Sequence, residues 1–181
     1  MRRPNIKATT TTEPKGLPAG DLLKRSFPPV VDARTRLIVL GSLPGEESLA
    51  RGRYYANPRN QFWALMSGVV DIDLVPLDYD GRLQTLLGAR IGLWDTVASA
   101  KREGSLDGAI RDHSANALPD LAARLPELRA FAFNGGKSAA VGRKALDDTA
   151  LQLIQLPSSS PAYTMPFAEK QVAWSKLRAV L

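Results

Sequence analysis

The chain has 181 residues, 44% of them hydrophobic, enough for one compact domain with a core of its own. It has no cysteine and a single histidine, His113, which excludes a disulfide framework and cysteine-ligated zinc or iron–sulfur sites and disfavours a histidine-based metal centre or triad. No apolar run reaches the roughly eighteen residues of a membrane span, and the formal net charge of +6 favours polyanionic partners.

Residues 1–20 read as a disordered basic tail. They carry Arg2, Arg3, Lys7 and Lys15, a run of threonines, and no periodic apolar pattern. No apolar stretch follows the basic start, so a secretory signal is not expected. Residues 21–181 read as a single domain, with strands and helices in alternation. Residues 36–40 form a short apolar run ending in Gly41, as a buried parallel strand does. Residues 60–69 and 82–89 are expected to be helices. A second strand over 91–97 carries Asp95 near its end, and a short helix over 121–125 follows Pro119. Residues 130–133 make a third strand, broken by Gly135 and Gly136 before a helix over 137–146. A fourth strand over 151–156 stops at Pro157. Phe167, Trp174, Leu177 and Leu181 define one face of a terminal amphipathic helix. This alternation implies a parallel sheet covered on both faces. Ligands of such sheets bind outside the carboxyl ends of the strands. Segments 41–48, 95–99, 134–138 and 157–163, rich in Gly, Ser, Asn or Asp, should therefore converge on a site.

Three constellations could carry chemistry. In Gly41-Ser42-Leu43-Pro44-Gly45 the glycines permit a sharp turn and close approach to a ligand, although a plain strand-to-helix turn would look the same. It matches neither a Walker loop nor a dinucleotide fingerprint. In residues 54–63, YYANPRNQFW, amides stand beside aromatics. Amides suit the edge of a flat heterocycle and an aromatic suits its face, while Trp63 reads better as core. In Pro157-Ser158-Ser159-Ser160-Pro161-Ala162-Tyr163, hydroxyls between prolines make a stiff loop with donors for phosphate oxygens.

Taken together and in order, GSLPG, YYANPRNQFW, LWDTVASAKREGSLDGAI, FNGGKSA and LPSSSPAY resemble the hypoxanthine (deoxyinosine) DNA glycosylase branch of the uracil-DNA glycosylase superfamily, near the mismatch-specific uracil glycosylases. The likeness covers residue 27 to the C-terminus. It implies a three-layer α/β/α sandwich around a four-stranded parallel sheet. It further implies a monofunctional glycosylase that hydrolyses the N-glycosidic bond of a flipped deaminated base, hypoxanthine foremost, in base excision repair. The superfamily usually carries a catalytic Asn or Asp at the third position of the first loop, where this chain has Leu43. The resemblance then points to Asn60, or else Asn57, for positioning the water. It places Gly41, Ser42, Leu43, Phe62 and Asp95 around the base, with Phe62 stacking on it and Asp95 reading its edge. Lys137, Ser158, Ser159, Ser160, Pro161 and Tyr163 would meet the DNA. No metal or organic cofactor is expected, nor a membrane; the partner would be DNA containing a deaminated base, met by a monomer in the cytoplasm at the nucleoid. Uracil or G/U-mismatch specificity, a DNA-binding domain without catalysis, and an unrelated nucleotide-binding α/β protein remain as alternatives at this stage.

Overall fold

A computed structural model describes residues 23–181; the tail expected over 1–20 lies outside them. In chain order the elements are β1 (Leu23–Arg25), β2 (Leu37–Gly41), α1 (Glu46–Arg51), α2 (Phe62–Val70), α3 (Tyr79–Gly88), β3 (Ile91–Asp95), β4 (Val97–Lys101), a 3-10 turn (Asp107–Ala109), β5 (Arg111–Ala115), α4 (Leu118–Ala123), β6 (Ala130–Asn134), α5 (Gly136–Ala145), β7 (Gln152–Leu156), α6 (Phe167–Ser175) and a closing 3-10 helix (Lys176–Val180).

The central sheet has four strands in the order β3-β2-β6-β7, all parallel. Its strands are apolar without alternation because both faces are covered. Leu37 and Val39 of β2 face one core, shared with Phe62, Leu65 and Met66 of α2, Leu86 of α3 and Trp174 of α6. Ile38 and Leu40 face the other, shared with Leu118 and Leu121 of α4 and Ala139 of α5. The result is the three-layer α/β/α sandwich expected from the sequence.

Three features differ from expectation. The strand expected over 91–97 ends at Asp95, and Val97 opens β4 in a second, antiparallel sheet of order β1-β4-β5. Thr96 makes the break, its N–H donating to the Gly41 carbonyl at 2.8 Å. That second sheet encloses a small third core of Leu43, Val97, Ala100, Ile110 and Val141 with α5. Helix α1 follows the first loop in a stretch for which the sequence pattern predicted no element. Finally, Trp174 and Leu177 are buried as expected of the terminal face, but Phe167 is 41% exposed, because it sits at the first turn of α6, short of the sheet.

The register sets up the site. Gly41 pairs with Asp95, Leu40 with Phe133, and Asn134 with Leu156, so the four central strands end on one line. Everything that follows those ends must meet at the same edge.

Candidate active site

A cleft of about 740 Å³ lies along that edge, within the size range of small-molecule sites. Its walls come from all four expected segments, joined by 54–60 and by a stretch that sequence reading left without a role, Ser105-Leu106-Asp107.

The floor is built over Gly41. A Cβ there would stand 2.5 Å from Asp95 Oδ1 and 3.3 Å from the Tyr55 hydroxyl, so a side chain at this position would displace Asp95 and crowd Tyr55. Asp95 is 3% exposed, and its Oδ2 has no hydrogen-bond partner among the described residues. Burial, reinforced by the charge of Asp107, pushes the Asp95 carboxyl up to about 8, against the opposing pull of Arg102. Around neutrality Asp95 is therefore mostly a neutral acid with one donor and one acceptor. The site is too buried to hold the charge of a carboxylate cheaply.

The aromatic at the site is Tyr55, not Phe62. Phe62 is fully buried, with Tyr55 laid flat over it at 3.6 Å between ring centroids and 5° between planes. Trp63 and Trp174 close on Phe62 edge-on. Phe62 is thus the backing of the stack and cannot touch a ligand directly, while Tyr55 lines the cleft. Tyr55 has φ of 52°, a left-handed conformation that costs a non-glycine residue energy. The surroundings enforce it: Trp63 Nε1 donates to the Tyr55 carbonyl at 3.1 Å, and Asn134 Nδ2 to its hydroxyl at 3.3 Å.

Asn57 and Asn60 both line the cleft. Each forms a local turn, Asn57 Oδ1 accepting from the Arg59 N–H and Asn60 Oδ1 from the Phe62 N–H. The Asn60 side chain is thereby held immediately before α2, next to the point where the Gln61 N–H meets the Ser159 carbonyl.

The serine loop is anchored from below. Asn134 donates to Ser159 Oγ at 2.8 Å and accepts from the Ser159 N–H at 2.8 Å. Ser159 is 1% exposed, and these two bonds fasten the loop to the end of β6. Ser158 and Ser160 accept from backbone N–H groups two residues on, which leaves their hydroxyl protons free to donate. Lys170, also buried, donates to the Tyr163 carbonyl and to Gln61 Oε1. Trp174 Nε1 donates to the Pro157 carbonyl. Pro161, Ala162 and Tyr163 stand exposed at the mouth of the cleft, with the Lys170 ammonium 5.3 Å from the centre of the Tyr163 ring. Lys137 lines the cleft from the first turn of α5. Gly135 precedes it at φ 97°, with Ser158 packed against its Cα.

In the first loop, Leu43 borders the cleft, but its side chain packs into the third core and offers no reactive atom. Ser42 is different: its hydroxyl donates a short hydrogen bond to Asp107 Oδ1.

Comparison with known proteins identifies the family and the fold. The family model of the uracil DNA glycosylase superfamily matches residues 28–178, and the chain belongs to that superfamily. Within it, a hypoxanthine DNA glycosylase of Methanosarcina acetivorans is 37% identical over 153 residues, 84% of this chain and 96% of that protein. A second, from Methanosarcina barkeri, is 42% identical over 115 residues, 64% of this chain and 73% of that protein. The solution NMR structure of a candidate uracil DNA glycosylase from Methanosarcina acetivorans superposes with a TM-score of 0.79 at 36% identity, covering 87% of this chain and 98% of that one.

Proposed function

We propose that this protein is a monofunctional DNA glycosylase that removes a deaminated base, hypoxanthine foremost, from DNA. The observation that carries the reading is the pairing of Tyr55 with Asp95 over Gly41: a backed aromatic face beside a neutral acid at the bottom of a cleft. A flat heterocycle turned out of the duplex can stack on the one and hydrogen-bond to the other. Hypoxanthine offers N1–H and O6 side by side, and a neutral carboxyl answers both, accepting from the first and donating to the second. The names of the two relatives support hypoxanthine over uracil.

Base removal requires water to reach C1′ while the base leaves with the bonding pair. Asn60 orients that water from the Ser159 side of the cleft, and Asn57 stands beside it. The donors of Ser158 and Ser160, together with Lys137, hold phosphates of the strand. Pro161 and Tyr163 fill the gap that the flipped base leaves. No helix of the described residues is long and apolar enough to cross a membrane, and a monomer acting in the cytoplasm at the nucleoid fits this reading. The test is single-turnover release from duplexes that carry hypoxanthine, xanthine or uracil. Hypoxanthine should leave fastest; faster uracil release would move the protein to the mismatch-specific uracil reading.

A further inference from the structure

Hydrolysis at C1′ is accelerated by a group that takes a proton from the attacking water. Among the described residues, three carboxylate side chains line the cleft: Glu47, Asp95 and Asp107. Glu47 is paired with Arg51 one helical turn on, at 2.6 Å. Asp95 lies at the floor, 3% exposed, where burial pushes its carboxyl up to about 8. Asp107 is half-buried, between the floor and the exposed rim residue Leu106, and one of its oxygens accepts from Ser42.

The structure goes to some length to put Asp107 there. Arg102, 1% exposed, donates to the carbonyls of Leu43 and Pro44 in the first loop and of Gly104 in its own segment. Ser105 Oγ accepts from the Glu46 N–H at 2.9 Å. With the bond from Ser42 to Asp107, residues 102–107 form a strap fastened at several points along the first loop. The strap brings a carboxylate to the loop whose own side chain at Leu43 is buried hydrocarbon.

We propose that Asp107, oriented by Ser42, accepts the proton of the attacking water and so is the catalytic carboxylate of this site. The water oxygen bonds to C1′ as the C1′–N bond breaks. The bonding pair leaves with the base, the water proton passes to Asp107, and the base regains a proton from solvent. Asn60 orients the same water but, as an amide, does not take its proton. Arg102 acts as a positioning residue. This assignment rests on the glycosylase reading above.

The experiment is single-turnover release of hypoxanthine by the full chain and by Asp107→Asn, Asp107→Ala and Ser42→Ala. It is accompanied by melting curves and by affinity for a duplex carrying the non-cleavable 2′-fluoro analogue of deoxyinosine. At pH 6, where Asp95 keeps its proton in both proteins, Asp107→Asn should lose about a hundredfold or more in rate, the scale of one general base, with melting and affinity unchanged. Ser42→Ala should lose about tenfold, as expected for one hydrogen bond to a charged group. Formate, a small carboxylate, should partly restore Asp107→Ala. Asp107→Asn at the wild-type rate would overturn the assignment alone, as would a loss in Asp107→Ala that formate does not relieve. No base release by the wild-type protein would overturn the glycosylase reading and the assignment with it.

Discussion

Tyr55 lies parallel on Phe62 with 3.6 Å between ring centroids, and only Tyr55 faces the cleft. The two aromatics therefore separate by experiment. Tyr55→Ala should weaken affinity for lesion DNA by about ten- to a hundredfold, the range of one base–aromatic stack at 1–3 kcal/mol, with a modest change in melting temperature. Phe62→Ala should cost about 3–5 kcal/mol of stability, as for any fully buried phenylalanine. Lesion affinity lost on Phe62→Ala at an unchanged melting temperature would reverse the two roles.

Asp95 sets a pH dependence. Its folded-state pKa of about 8 lies above the ordinary 3.8, so the folded protein binds the extra proton between these values. Stability from this group is complete below about pH 4, declines as pH rises, and levels off above about 8. Asp95→Asn removes the titrating group. Its melting temperature relative to wild type should climb from pH 5 to pH 9; a constant offset would refute the raised pKa. Hypoxanthine release by wild type should fall above about pH 8 as Asp95 loses its donor. A rise through the same interval would mean that the ionised carboxylate is the form that meets the base.

The charge of Asp107 is one cause of that raised pKa. In Asp107→Asn, the alkaline fall in lesion-DNA affinity, measured on the 2′-fluoro analogue, should move to lower pH. An unmoved limb would mean that the two carboxyls do not sense each other.

Much of this architecture is legible in sequence, for a physical reason. Strands β2, β3 and β6 are covered on both faces, so each appears as an unbroken apolar run, and Gly or Asp marks where the run meets the cleft. The second sheet is invisible by the same logic. Residues Arg111–Ala115 are all exposed, and the strand exists only through pairing with β4. Phe62 and Tyr55 share one motif, and nothing in residue type says which is turned inward. That depends on the left-handed backbone at Tyr55. Asp107 lies in a polar stretch without periodicity, and its partner Ser42 is 65 residues away. Only the folded chain brings them together.

The serine loop is predicted to act on paired DNA. Tyr163 is 44% exposed at the mouth, and Lys170 fixes its carbonyl from beneath. Tyr163→Ala should slow hypoxanthine release from a duplex more than from a single strand, because only the duplex requires unstacking and gap filling. Equal effects on both would make Tyr163 a packing residue.

The central claim, hydrolytic release of a deaminated base, is tested most directly by incubating the full chain in excess over a duplex with a single deoxyinosine and following both products. The account predicts free hypoxanthine in step with an abasic strand that stays intact until alkali cleaves it, with no adenine released from the matched control. Absence of free hypoxanthine, or strand scission without alkali, would contradict it.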